Sequence, residues 1–139
     1  MFSRIKQGVS CLFLKFDKKN LLEIKKILSK DEFNIFNRMS DYDKLHSFNV
    51  YLKVKENELL KDDENYLKLA LLHDSGKGHI TIFRRVKKVL VGDRLLEKHP
   101  EIAYEKLKEI NLLVAKLCRN HHNVHVDKKM QVFQRIDDQ

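Results

Sequence analysis

Tyr66-Leu67-Lys68-Leu69-Ala70-Leu71-Leu72-His73-Asp74-Ser75-Gly76-Lys77-Gly78 is apolar nearly all round and then runs directly into a histidine, an aspartate and two glycines. A helix without a polar face belongs inside a bundle. Asp62 or Asp63 is placed to cap its start, and Gly76 and Gly78 are placed to break it after His73-Asp74. The end of this helix carries chemistry. Adjacent His73 and Asp74 are a good pair of ligands for a divalent metal, and Lys77, three residues on, suits an anionic substrate.

Helical periodicity continues in both directions. Upstream, Leu21, Ile24, Ile27 and Leu28 form one stripe, and Phe33 and Phe36 continue the apolar packing after a break at Ser29-Lys30-Asp31. Ser40 followed by Asp43 resembles a capping box with Asp for Glu. It opens a helix carrying Leu45, His46, Val50 and Leu52, in which His46 and Val50 share a face and the histidine turns inward. Downstream, Ile82, Phe83, Val86, Val89 and Leu90 alternate with Arg84, Arg85, Lys87 and Lys88, which predicts an amphipathic helix stopped at Gly92. Pro100 fits the first turn of a helix running to Ile110, with His99 at its cap. Leu112 to His122 and Val126 to Gln139 predict two more. Strand alternation is absent over any useful length, so the expected fold is an all-α bundle of seven to nine helices.

The composition agrees with this. Only four Gly and one Pro occur in 139 residues, and 42% of the residues are hydrophobic, enough for one domain with a real core. Lys and Arg outnumber Asp and Glu by 28 to 20, for a net charge of +8, which favours anionic partners without choosing among them. Cys11 and Cys118 match no zinc or redox spacing and lie in apolar runs, so both are expected as buried free thiols of a reducing compartment. Met1 to Phe16 has too short an apolar stretch for a signal peptide. An amphipathic helix packed on the core is expected there rather than a membrane-surface anchor. No stretch approaches transmembrane length, and a bacterial cytoplasmic protein is expected.

His46 lies upstream of His73-Asp74, and His99, His121-His122 and Asp137 lie downstream, each in its own helical segment. That order, with Asp43-Lys44-Leu45-His46-Ser47 around the first histidine and His73-Asp74-Ser75-Gly76-Lys77 at the core, resembles the HD-domain superfamily of metal-dependent phosphohydrolases. It is most similar to small stand-alone bacterial members. The likeness spans roughly residues 33 to 137, which it makes the metal-binding core, with residues 1 to 30 as N-terminal helices packing on it in a single domain, 1 to 139.

The resemblance implies a metal site at the centre of an HD-like bundle and hydrolysis of phosphoesters, often nucleotides. It makes His46, His73, Asp74 and Asp137 the ligands of a first ion. Asp138 is the alternative late ligand, because the segment Phe133-Gln134-Arg135-Ile136-Asp137-Asp138 stands where chains fray unless tied down. His99, His121 and His122 match the histidines that dinuclear members add for a second ion, and Asp74 is then the bridging carboxylate. Lys77 resembles the lysine that contacts a phosphate oxygen, the alternative being a solvated lysine in a glycine loop.

Imidazole with carboxylate suits Fe, Mn, Co, Ni or Zn better than Mg or Ca, so one or two transition-metal ions are expected. The implied activity is hydrolysis of a nucleotide or related phosphoester, as a phosphomonoesterase or phosphodiesterase, through metal-activated water. Asp74 and Lys77 serve catalysis, His122 is the acid if it is not a ligand, and Lys77 and Arg84 contact substrate. Two other classes stay open: a non-catalytic metal- or nucleotide-binding regulatory module, and a mixed-valent di-iron oxygenase. No Gly-Tyr-Pro follows His121-His122, and Tyr42 stands where trinuclear members carry a glutamate, so cyclic-dinucleotide hydrolysis is not specifically implied. The stripe Arg84, Arg85, Lys87 and Lys88 lacks interleaved aromatics, which makes it a solvated face before a nucleic-acid contact. His79 and His125 match nothing and are expected at the surface.

Overall fold

The helix from Tyr66 to Leu72 lies at the centre of the fold. The computed structural model describes residues 16–77 and 98–139. Among them are seven α-helices: α1 Leu21–Ile27, α2 Lys30–Asn37, α3 Asp41–Glu56, α4 Glu64–Leu72, α5 His99–Leu107, α6 Leu112–Asn120 and α7 Lys128–Asp137. Single 3₁₀ turns at Lys18–Asn20 and Ser75–Lys77 precede α1 and follow α4. No strand occurs among the described residues, and the fold is all-α. None of the described helices is long and apolar enough to cross a membrane.

α4 packs against α1, α2, α3 and α6, which is why its sequence is apolar nearly all round. Leu69, Ala70, Leu71 and Leu72 are fully buried, and each buried leucine stabilises the fold by about 1.5–3 kcal/mol. Phe16 closes one end of the core, edge-on to Phe36 and Phe48 at 6.0 Å from each. Met1 to Lys15, including Cys11, the helix expected around Ile82 to Leu90, including Arg84, Arg85, Lys87 and Lys88, and also Gly78, His79 and Gly92 lie outside the described residues.

Local signals set the helix starts. Asp63, one of the two candidates, caps α4 by accepting the Asn65 N–H at 3.0 Å. Asn111 and Asp127 do the same for α6 and α7. Ser40 caps α3 through the Asp43 N–H at 3.2 Å, but the Asp43 carboxylate accepts the Ser40 hydroxyl at 3.0 Å. Aspartate is one methylene too short to reach back to the cap N–H as glutamate does. The complete capping box is at Ser29, where the Glu32 N–H donates to Ser29 Oγ and the Ser29 N–H to Glu32 Oε1. The break at Ser29-Lys30-Asp31 is thus the start of α2.

Glu32 is 1% exposed. It accepts from Asn111 Nδ2 at 2.8 Å and pairs with Lys68 Nζ at 3.0 Å. This polar knot joins α2, α4 and α6, and no periodicity announced it.

The last three helices are shorter than the sequence reading, ending at Leu107, Asn120 and Asp137 with the last starting at Lys128, and two helix ends near the His-Asp turn differ in kind. His99 is the first residue of α5, with Lys98 at the cap and Pro100 behind it in the first turn. Glycine does not end α4: His73 is its C-cap, and Gly76 serves the packing of α5. A Cβ on Gly76 would lie 1.9 Å from the His99 carbonyl oxygen and 2.8 Å from the Ala103 nitrogen, so α5 rests directly on the backbone of the turn.

Candidate metal centre

Four helix ends and one helix face converge around Asp74. His46 projects from α3, one turn before the buried Val50 on the same face. His73 and Asp74 follow α4, His99 opens α5, His121 and His122 follow α6, and Asp137 closes α7.

His46 Nε2 stands 2.9 Å and His73 Nε2 3.1 Å from Asp137 Oδ1. Asp74 Oδ2 faces the same two nitrogens, at 3.7 Å from His46 and 3.4 Å from His73. On the other side, Asp74 Oδ1 is 3.3 Å from His99 Nε2, which is itself 3.3 Å from His121 Nε2. The His122 ring centroid lies 5.0 Å from that of His99 and 4.2 Å from that of His121. His46, His73 and Asp137 bring one donor atom each within 4.8 Å of one another, and so do His99, His121 and His122.

These separations fit metal coordination. Donors bonded to one ion at about 2.1 Å lie about 3.0–3.4 Å from one another in octahedral or tetrahedral shells. These pairs fall in or near that range, and the mixture of nitrogen and oxygen suits a transition ion.

The histidines are oriented from behind. His73 Nδ1 donates to the Ala70 carbonyl at 2.8 Å, and His121 Nδ1 donates to the Cys118 carbonyl. Each bond is made to a carbonyl in the last turn of a helix and leaves Nε2 toward the cluster. Phe133 stacks edge-on against His73 at 5.4 Å. Gln134 Nε2 donates to the His121 carbonyl at 3.1 Å and ties α7 to the turn after α6.

The two groups differ in charge. Burial pushes His73 down, but the carboxylates of Asp74 and Asp137 outweigh it and raise the imidazole to about 9. Burial pushes Asp137 up, and the His73 charge with the His46 and His73 hydrogen bonds holds it well below the usual carboxylate range. Asp74 is likewise pushed up by burial and pulled well below it by His73 and Lys77. On the far side, burial and then the His73 and His122 charges keep His121 well below the ordinary imidazole value. Burial and then His99 lower His122. In the metal-free chain one group therefore holds a cation between two carboxylates, and in the other His121 and His122 are held neutral.

All seven residues expected as ligands thus lie in one place. Asp137, at 6% exposure, is the late carboxylate that faces inward, while Asp138 is exposed. Lys77 Nζ is 3.3 Å from Asp74 Oδ1, so its ammonium is paired with the central carboxylate. His125 is exposed, as expected. Cys118 is a buried free thiol.

An HD-domain family model matches residues 44–137. The chain belongs to the HD-domain family. Members of the HD-domain family bind divalent metals and are generally hydrolases, and the match runs from two residues before His46 to Asp137. No curated protein and no solved structure matches the chain. The HD-domain site of this chain also includes features that the sequence reading did not single out: Gly76 as the seat of α5, and Lys106, whose Nζ donates to the Ser75 carbonyl at 3.0 Å. The spacing of His99, Ala103 and Lys106 along one helix face was the available signal for both.

Proposed function

We propose that this HD-domain protein hydrolyses a nucleotide or related phosphoester, as a phosphomonoesterase or phosphodiesterase, with two divalent transition-metal ions per chain. The observation that carries this is the orientation of Asp74, whose two oxygens face two separate donor groups at 3.3–3.7 Å. His46, His73, Asp74 and Asp137 would hold the first ion, and His99, His121, His122 and Asp74 the second. The ions supply Lewis-acid polarisation of phosphoryl oxygens and lower the pKa of water.

The chain's own groups do the rest. Two carboxylates, Asp74 and Asp137, are too few to neutralise two dications, so the loaded centre stays positive and suits an anionic phosphoester. Lys77 borders the cluster with its side chain 19% exposed. Its pairing with Asp74 weakens when that carboxylate is shared with metal, and its ammonium turns to a phosphate oxygen. His122 lies exposed at the rim. Its lowered basicity keeps it neutral near pH 7, the form of a ligand rather than of a proton donor to the leaving oxygen. His73 and His121, fixed through Nδ1, and Asp137, held by His46 and His73, keep the donors in register while substrate enters.

Elemental analysis of protein purified without chelator tests this first. Two equivalents of Fe, Mn, Co, Ni or Zn, with turnover of phosphomonoester or phosphodiester model substrates that disappears in Asp74→Ala, are the expected result. Two equivalents of iron with oxygen uptake and no phosphoester turnover would assign an oxygenase instead. Binding without any turnover would assign a regulatory module.

A further inference from the structure

α5 meets the His-Asp turn along one stripe. His99 Nε2 stands 3.3 Å from Asp74 Oδ1 at one end, and Lys106 Nζ donates to the Ser75 carbonyl at 3.0 Å at the other. Between the two side-chain contacts the His99 carbonyl and the backbone nitrogen of buried Ala103 lie so close over Gly76 that no Cβ fits there. His99, Ala103 and Lys106 recur at four and three residues, which places them on one face. The distance along the axis from His99 to Lys106 is about 10.5 Å, two turns.

The Gly76 contact is backbone against backbone, so the register of α5 on the turn depends on its side-chain contacts there and on its packing against α6. Of the two ends that bear on the turn, one is itself a candidate ligand. Lys106 is the end outside the ligand set. Its stem is exposed, yet its head is committed to a carbonyl one residue beyond Asp74. A charge-assisted bond to that carbonyl fixes the roll of α5, and the roll sets where His99 lies relative to Asp74.

We propose that Lys106 is a positioning residue: through Ser75 it holds α5 on the His-Asp turn and so keeps His99 in register with Asp74 for the second ion. The consequence for the ion rests on the two-ion reading above; the positioning of His99 does not.

The test uses the full chain and two variants, Lys106→Met and Lys106→Arg, with Mn(II) as the probe. Lys106 is exposed, so its replacement leaves the core untouched. Calorimetric titration of Lys106→Met is expected to show the weaker Mn(II) site loosened about tenfold, the scale seen for groups that orient ligands, with the tighter site unchanged. Lys106→Arg, which keeps a cationic donor, restores it. Imidazole nitrogen NMR of the metal-free proteins, with His99 assigned through His99→Asn, is expected to show the His99 signals moved in Lys106→Met and returned in Lys106→Arg. Unmoved His99 signals overturn the positioning role whatever metal does. Equal weakening of both Mn(II) sites also overturns it, because that is general destabilisation. A wild-type chain that takes one Mn(II) while the His99 signals still move upholds the positioning and defeats only the two-ion reading.

Discussion

His121 repeats at the end of α6 what His73 does at the end of α4: each is the C-cap, and each donates Nδ1–H to the carbonyl three residues back. The two rings lie 5.2 Å apart, edge to face, with the carboxylate of Asp74 between the groups they belong to. One helix-ending device thus presents one Nε2 to each candidate ion.

His121→Ala is therefore expected to leave one metal equivalent per chain, held by His46, His73 and Asp137, while Asp74→Asn weakens both sites. Phosphoester turnover falls at least about a hundredfold in either, more than the loss usual for an orienting group alone. Metal content by elemental analysis, read beside turnover and helical circular dichroism, separates the two. Two full equivalents in His121→Ala would remove that histidine from the centre.

Metal removal is expected to lower the melting temperature. Ions bound at a hundred times their dissociation constant stabilise by about 2.7 kcal/mol, which for a chain of this size is on the order of 8 °C. Differential scanning fluorimetry with and without a chelator, and after restoring Mn(II), measures it. An unchanged melting point would mean that the clustered His and Asp side chains are satisfied without metal.

Glu32 predicts an acid limit to stability. Burial pushes its carboxyl up, but the Ser29 N–H, the Asn111 amide and the Lys68 ammonium outweigh burial and hold it below its ordinary value of 4.5. A depressed folded value means that its stabilisation is fully present above about 4.5 and fades as the pH falls through the folded value. Urea midpoints from pH 7 to pH 3 are expected to drop, and Glu32→Gln to drop less steeply. At pH 7 Glu32→Ala is expected to cost about 3 kcal/mol, because it leaves Lys68 and Asn111 without their buried partner.

Cys118 is fully buried, and burial, with the Asp74 charge, pushes its thiol up. Thiolate is the reactive form, so in a Cys11→Ser background iodoacetamide is expected to leave the folded protein unmodified and to label it in denaturing urea. Rapid labelling of the native protein would show that α6 opens readily.

Much of the fold was legible in the sequence because its signals are local. The apolar run from Tyr66 to Leu72 could only be an interior helix, and Ser40, Asp63 and Pro100 mark starts that depend on backbone groups within a few residues. The candidate ligands were legible for another reason: His46, His73, Asp74 and Asp137 follow a recurrent order of residue types. The choice between Asp137 and Asp138 was not legible, since it turns on which side of α7 faces the bundle. The break before Lys30 was legible, but the burial of Glu32 against Lys68 and Asn111 was not, because both partners lie on other helices.

By itself the sequence determined that the chain is helical, where most helices begin, and which residues are candidate metal ligands. These follow from hydrogen bonds and rotamers within a turn or two of the chain. Only the tertiary structure decided that Asp74 faces two donor groups, that Gly76 is a seat for α5 rather than a helix stop, and that Lys106 reaches Ser75. Each of these is a distance between residues far apart in sequence, set by how α4, α5 and α6 pack, and pattern along a chain carries no such distance.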